Sequence, residues 1–299
     1  MTLTLKRKES VSKGLRRLAQ RQIRASQKAL KDCEKLDAVH EVRKGVKRLR
    51  GLLRLGRAAL RGSDYLQCMG DLRQLARQLS AARDAHVKLN ALKALEARLH
   101  DSKSRRQFGE FEEMLMADCR KEQAGLEHEG TPGKASRSLR ALESDFSSLC
   151  PKRKGWNAIA LGVRRTYRNG RRRYLEARHN GKAEDFHEWR KRVKDLTYQA
   201  GMLCKVCPGK MVAIEKELKR LGETLGDDHD LVMLTECEAM NRFTGRDEKA
   251  AHALGALADT RQQQLRSRAL TIGGRLYAEK PSVFCKRLNQ YWREWRKGS

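Results

Sequence analysis

The chain of 299 residues has little proline and few aromatic side chains, with 4 Pro and only 5% Phe, Trp and Tyr. Scarce proline favours long helices, because proline removes a backbone donor and breaks a helix. No segment approaches the roughly 18 consecutive apolar residues that span a bilayer, and the N-terminal segment lacks the apolar stretch of a signal peptide. We therefore expect a cytoplasmic protein with no membrane partner.

Cysteine occurs at eight positions, too sparsely for a disulfide scaffold and mostly at apolar-periodic places. Cys204-Lys205-Val206-Cys207 has the spacing of a redox or zinc motif, yet no second CxxC or HxxxH follows it. We expect reduced, inert thiols, with no metal site and no cofactor.

Basic side chains exceed acidic ones throughout the chain, with 66 Lys and Arg against 37 Asp and Glu and a net charge of +29. Residues 1–150 carry +14 and residues 151–299 carry +15, so the excess is not confined to a tail. Dense charge of one sign opposes compaction and attracts anions. The expected partner is a polyanion, and both halves are expected to contribute to binding it.

Helical periodicity runs through the chain, together with many Leu, Ala, Arg, Lys and Glu residues and no convincing alternating strand. This pattern predicts an all-α fold. The clearest interruption is the turn sequence Gly130-Thr131-Pro132-Gly133, which Cys150-Pro151 follows. These signals predict a first helical bundle over 5–130, a linker region over 131–153 and a second bundle over 154–297.

The two halves repeat each other at a spacing of 146 to 148 residues. The segments HEVRKGVK at 40–47 and HEWRKRVK at 187–194 share six identities in eight positions. A duplicated unit of this length predicts two bundles of about four helices each, related by an approximate two-fold axis, with the equivalent basic helices meeting at the centre. Flanking blocks recur in the same order: Gly14–Arg17 with Gly162–Arg165, and Leu79–Asp84 with Leu225–Asp230.

Each copy of the repeat places its basic residues on one face of a helix, opposite an apolar face that begins with Val42 or Trp189. Like charges at these spacings repel each other by roughly a few tenths of a kcal/mol per pair, so we expect an anion to bind along them. The two stripes are Arg43, Lys44, Lys47, Arg50 and Arg54 in the first copy, and Arg190, Lys191, Lys194, Tyr198 and Lys205 in the second.

Phosphate chains suit these stripes, because Arg offers a forked set of donors to phosphate oxygens and Lys adds compact charge. His40 and His187 are interpreted as hydrogen-bond donors to phosphate, strengthened by partial protonation near neutrality, rather than as metal ligands or general bases. Asp84 and Asp230 are interpreted as helix caps or as acceptors that orient a basic side chain. We expect no catalytic residue.

The two HExRKxVK segments, the elements Arg83-Asp84 and His229-Asp230, and the segment Gly162–Tyr167 resemble those of the CHAD domain, the conserved histidine α-helical domain. The resemblance covers roughly residues 5 to 295, as a single domain of two repeats over 1–299. It implies two four-helix bundles with pseudo-two-fold symmetry around a basic central cavity or pore that binds inorganic polyphosphate. It also implies an association with polyphosphate granules.

The resemblance further implies which residues line the cavity. The second stripe is the less basic of the two, because Asp195, Thr197 and Gly201 stand where the first copy has Arg48, Arg50 and Arg54, and this predicts an asymmetric ligand path. The implied lining is Arg17, Arg24, His40, Arg43, Lys44, Lys47, Arg48, Arg50, Arg54 and Arg83 in the first half, and Arg165, Arg172, His187, Arg190, Lys191, Lys194, Tyr198 and His229 in the second.

Charge alone leaves an alternative open, a general polyanion-binding or nucleic-acid-binding protein. Against nucleic acid, no zinc finger, basic zipper or RNP motif is recognisable, and the aromatic residues are too sparse for an obvious stacking platform. A third class is an enzyme that transfers or hydrolyses phosphate, but the known templates use metal ions and positioned carboxylates. We expect a binding protein and not an enzyme.

Overall fold

The computed structural model describes residues 3–32, 35–99, 106–128, 131–148 and 153–298. Within these ranges the chain forms twelve α-helices and no β-strand, which confirms the predicted all-α class. The helices are α1 (Val11–Asp32), α2 (Lys35–Leu55), α3 (Gly62–Gln78), α4 (Ala81–Glu96), α5 (Gly109–His128), α6 (Thr131–Ser148), α7 (Ala160–Asn180), α8 (Ala183–Met202), α9 (Pro208–Thr235), α10 (Glu238–Thr244), α11 (Glu248–Leu276) and α12 (Pro281–Lys297). Of these helices, none is both long enough and apolar enough to cross a lipid bilayer.

Helices α2 and α8 carry the two copies of the repeated segment, and each buries the apolar face predicted for it. Val42, Val46 and Leu53 of α2 are at most 1% exposed, and Trp189 and Val193 of α8 are fully buried. Burial of an aliphatic side chain of this size contributes roughly 1.5–3 kcal/mol to stability. Burial of these faces leaves the basic faces of both helices available for other contacts.

The buried apolar residues form two clusters, and both draw on the two halves of the chain. The larger cluster contains residues of α1, α2, α3, α6, α7, α8 and α12. The smaller one contains residues of α4, α5 and α10, and the long helices α9 and α11 contribute to both. The clusters therefore do not follow the predicted boundary, and the division into two bundles stays a prediction.

The predicted linker region contains a helix of the larger cluster, α6. Ala135, Leu139 and Phe146 are fully buried in it, at spacings of four and seven residues that place them on one face. Pro132 lies in the first turn, where the missing backbone N–H breaks no helical hydrogen bond. The turn sequence therefore marks the start of α6, and the apolar residues that follow it give this helix one face that packs into the core.

The third pair of repeated blocks differs between the halves. Ser80 separates α3 from α4, whereas its counterpart Gly226 lies inside the continuous helix α9. Asp230 also lies within α9, so the interpretation as a helix cap is wrong there. Asp84 lies in the first turn of α4 with Oδ1 3.9 Å from a guanidinium nitrogen of Arg43, a position that fits the acceptor interpretation.

Candidate anion-binding site

Helices α2 and α8 pack against each other, and a pocket of about 90 Å³ lies between their basic faces. Seven of its nine lining residues are Lys or Arg, and one is acidic. We call it the seam pocket. It brings residues of both predicted stripes together, since its lining is Lys47, Arg50, Arg54, Arg190, Lys191, Arg192, Lys194, Asp195 and Tyr198.

The crossing of α2 and α8 is held by a buried amide. Gln199 Nε2 of α8 donates to the backbone carbonyl of Gly51 in α2 at 3.3 Å and to Thr166 Oγ1 in α7 at 3.0 Å. A buried amide with two partners fixes the relative position of three helices, because each lost partner would leave a polar group unsatisfied. The basic side chains that line the seam pocket are therefore carried by a rigid support.

Positive charge is crowded in the seam pocket. Burial lowers the pKa of the Arg50 guanidinium and Arg54 lowers it further, while Asp195 acts in the opposite direction. Burial also lowers the pKa of the Lys194 ammonium, and Arg190 adds to that effect. An anion that approaches these two cations stabilises their charged forms, which burial and the neighbouring positive charges disfavour. The lowered pKa values therefore favour anion binding in this pocket.

Asp195 is the one acid of the seam pocket, and two arginines hold it. Arg54 Nη1 lies 2.7 Å from its Oδ1, and Arg192 Nη1 lies 3.3 Å from its Oδ2. The carboxylate side chain is 9% exposed. Burial raises the pKa of the Asp195 carboxyl, and the two guanidinium groups act against this shift.

A second basic pocket, of about 290 Å³, lies next to the first. Helices α2, α3, α7 and α8 all contribute to it, so that arginines distant in sequence meet there. We call it the arginine pocket. Its lining is Arg54, Arg57, Tyr65, Met69, Arg73, Gly162, Arg165, Thr166, Asn169, Arg192 and Asp195.

The rings of His187 and His229 lie against each other, with centroids 4.0 Å apart and planes tilted by 40°. Burial lowers the pKa of both imidazoles, that of His229 to about 3, and the cations Arg190 and Lys191 add to the effect. Burial therefore favours the neutral form of both rings, which opposes the partial protonation expected of His187. Neutral imidazole still offers one N–H donor to an anion.

Part of the predicted lining makes contacts within the fold. Arg43 donates to the backbone carbonyls of Leu79 and Ala76 at 2.8 and 3.3 Å, at the end of α3. Arg48 donates to Gln22 Oε1 at 3.2 Å. Their guanidinium groups satisfy acceptors of the protein itself, so these two arginines have a structural role.

The remaining predicted residues lie away from the seam pocket. Arg17 donates to Glu9 at 2.9 Å, and the exposed residues Arg24 and Arg172 lie in α1 and α7. Further members that line neither pocket are Lys44, which pairs with Glu41 at 3.1 Å, and the exposed His40. The side chain of Arg83 lies outside the described part of the structure.

Sequence reasoning missed four charged residues of the two pockets, Arg57, Arg73, Arg192 and Asp195, as candidate ligand contacts. Arg192 occupies a variable position of the repeated segment, where the first copy has Gly45, so the repeat gave no reason to select it. Arg57 and Arg73 lie outside the repeated blocks. Only the packing of α3 and α7 beside α2 brings them to the site.

The cysteines of the CxxC motif lie outside both pockets, in the turn between α8 and α9. Cys204 and Cys207 are free thiols and are half-buried. Burial raises the pKa of the Cys204 thiol, which keeps it protonated near neutrality. This agrees with the expectation of an unreactive thiol at Cys204.

Comparisons with known proteins agree with the helical fold. The sequence model of the CHAD domain matches residues 14–239. The chain is similar to the crystal structure of the CHAD domain from the plant Ricinus communis, with a TM-score of 0.62, 18% identity, and coverage of 93% of this chain and 96% of that one. It is also similar to PptA from Streptomyces chartreusis, with a TM-score of 0.58, 14% identity, and coverage of 91% and 100%. No curated protein matches the chain.

Proposed function

We propose that this chain, which belongs to the CHAD domain family, binds inorganic polyphosphate in the seam pocket and the arginine pocket. One observation carries the proposal: cations from both copies of the repeat line the seam pocket, and only one acidic residue accompanies them. Lys47 and Arg50 come from the first copy, and Arg190 and Lys194 from the second. A chain of phosphates supplies closely spaced negative charge to such a row of forked and compact donors.

The proposed architecture is a pair of helical bundles related by an approximate two-fold axis that passes between α2 and α8. Each half then contributes one basic helix to a central basic cavity. The sequence repeat and the direct packing of α2 against α8 support this arrangement. The asymmetry between Arg48 and Asp195 makes the two sides of the cavity unequal.

Binding without catalysis is part of the proposal. The one carboxylate of the two pockets, Asp195, accepts a hydrogen bond from Arg54 and forms an ion pair with Arg192, so its oxygens are engaged by guanidinium groups rather than open to a substrate proton. Incubation with polyphosphate and Mg²⁺ or Mn²⁺ is expected to release no phosphate. Release at a rate that depends on protein concentration would contradict this part.

Association with polyphosphate granules in the cytoplasm is the proposed cellular consequence. A fluorescent fusion of the protein is expected to co-localise with granules, and the fusion with Lys47→Ala and Lys191→Ala is expected to lose that localisation. Equal localisation of both fusions would show that the pocket does not direct it.

Salt dependence tests the proposed mode of binding. The logarithm of the affinity for polyphosphate is expected to fall linearly with the logarithm of salt concentration, because bound cations displace counterions from the ligand. By analogy with single-stranded nucleic acid, each lost phosphate contact reduces the slope by roughly 0.7. Lys47→Ala with Lys191→Ala should therefore reduce it by roughly 1.4.

A matched control removes two lysines outside the pockets, Lys249 and Lys286, which are exposed on α11 and α12. Their replacement by Ala changes the net charge equally and is expected to leave most of the slope unchanged. A salt-insensitive affinity, or an equal effect of the two lysine pairs, would contradict binding in the seam pocket.

One observation favours general polyanion binding as the second candidate. Arg164, Arg168 and Arg172 are exposed on α7, on a surface that could contact any polyanion. A surface of this kind would not distinguish polyphosphate from nucleic acid, whereas the seam pocket, of about 90 Å³, would exclude a duplex. Competition between the two ligands separates these functions.

A further inference from the structure

The seam pocket and the arginine pocket share only three residues, Arg54, Arg192 and Asp195. These three therefore form the boundary between the two basic pockets. Each carboxylate oxygen of Asp195 faces a different arginine, with Oδ1 at 2.7 Å from Arg54 and Oδ2 at 3.3 Å from Arg192. A phosphate group would place two of its oxygens against two guanidinium groups in a similar way.

Asp195 interrupts an otherwise basic lining. Every other charged residue of the seam pocket is Lys or Arg, and the other charged residues of the arginine pocket are Arg. In the first copy of the repeat the corresponding position is Arg48, so the acid distinguishes the second copy from the first. The side chain is 9% exposed, which keeps its charge at this boundary rather than in solvent.

Arg50 lines the seam pocket next to this boundary and has a donor without an acceptor in the described part of the chain. Its Nε is buried and has no hydrogen-bond partner among the described residues. One carboxylate therefore serves a group of at least three arginines, since Arg54 and Arg192 take its two oxygens. A further anion at this place would satisfy a donor that Asp195 does not reach.

We propose that Asp195 is a specificity-determining residue, whose carboxylate occupies Arg54 and Arg192 in place of a ligand phosphate and separates the two pockets. A short ligand fits one pocket without disturbing this ion pair. A long chain that runs from one pocket to the other must displace the carboxylate from both arginines. The inference rests on the proposed binding of polyphosphate.

The test compares the wild type with Asp195→Asn, using long-chain polyphosphate and triphosphate as ligands. Removal of the competing carboxylate is expected to tighten binding of the long chain about tenfold, the effect of one additional charge-assisted contact. Binding of triphosphate is expected to change by less than about threefold. The ratio of the two dissociation constants measures the selectivity that Asp195 imposes.

Asp228→Asn is the matched control. Asp228 is buried and pairs with Arg266 at 2.7 Å, but it lines neither pocket. Both variants remove a buried acid from an arginine and are expected to lower the melting temperature of the free protein. Only Asp195→Asn is expected to tighten polyphosphate binding.

A second comparison keeps the test decisive if Asp195→Asn does not fold. Arg54→Gln removes the closest partner of Asp195 and is expected to weaken binding of the long chain. Arg54→Gln with Asp195→Asn removes the pair and is expected to bind the long chain more tightly than Arg54→Gln alone.

The outcomes separate this inference from the proposed function. Unchanged or weaker binding of the long chain on loss of Asp195 would overturn the inference while the wild type still binds polyphosphate. A wild type that does not bind polyphosphate would overturn both.

Discussion

Gly51 of α2 lies directly against Tyr198 of α8, so close that a Cβ atom at Gly51 would stand 3.1 Å from the Tyr198 Cβ. Few side chains in folded proteins approach this closely, and glycine is what allows the two helices to do so. Because Tyr198 also lines the seam pocket, the same contact sets the distance between the basic faces.

Replacement of Gly51 by Leu is expected to destabilise the protein and to weaken polyphosphate binding. The added side chain must push α2 and α8 apart, and overpacking of this kind costs about 1–3 kcal/mol. Urea denaturation and a binding titration measure the two effects.

Gly70→Ala in α3 is the control for the Gly51 variant, because nothing lies within 4 Å of an added Cβ there. It is expected to stabilise the protein by about 0.5–1 kcal/mol through helix propensity. Unchanged stability and affinity of Gly51→Leu would show that the crossing is not tightly packed.

Gly162→Ala is expected to destabilise the protein strongly, although it adds only one methyl group. The added Cβ would collide with the carbonyl oxygens of Leu55 and Arg54, both backbone atoms that cannot rotate away. We expect a loss of about 1–3 kcal/mol or more in the free energy of unfolding. Gly255→Ala in α11, where space is open, serves as the control, and equal stability of the two variants would contradict the close approach of α7 to α2.

Residues of one predicted stripe are expected to separate into structural and ligand-contacting groups. Arg43→Ala removes the donor to the Leu79 and Ala76 carbonyls and should cost about 1–3 kcal/mol of stability. Lys47→Ala removes an exposed side chain of the seam pocket and should weaken binding while stability changes by less than about 0.5 kcal/mol. Thermal unfolding and a binding titration on both variants measure this difference, and the same stability loss in both would contradict it.

Acid is expected to destabilise the protein partly through the histidine pair. Burial lowers the pKa of His187 and takes that of His229 from 6.5 to about 3. Below pH 6.5 the unfolded chain therefore binds protons that the folded chain excludes, so stability falls as the pH decreases towards 3. The melting temperature of the wild type should fall more between pH 7.5 and 5.5 than that of His229→Gln, and an equal fall would show that the pair is not the cause.

The basic stripes could be predicted from sequence because helix geometry is local. Spacings of three and four residues placed Lys47, Arg50 and Arg54 on one face, and the repeat indicated that Arg190 and Lys194 meet them. The structure brings all five to the seam pocket. The all-α class followed from the same periodicity.

Tertiary contacts determined what the sequence could not show. Arg73 reaches the arginine pocket only because α3 packs beside α2, and no local pattern marks it. Arg43 donates to backbone carbonyls at the end of α3, because that helix ends just before Ser80. In the second half the counterpart Gly226 lies inside a continuous helix. Comparison of the two repeats marks Asp195 as a departure, but its position between two arginines depends on the approach of α2 to α8.

The most direct test of the account is a competition titration of labelled long-chain polyphosphate at about 0.15 M salt, where the screening length is about 8 Å. Duplex DNA, RNA, triphosphate and free phosphate serve as competitors at equal phosphate concentration, because they share charge but differ in shape. We expect unlabelled polyphosphate to displace the label, and we expect DNA and RNA not to displace it. Equal displacement by nucleic acid would contradict this expectation and identify the basic helices as a general polyanion surface.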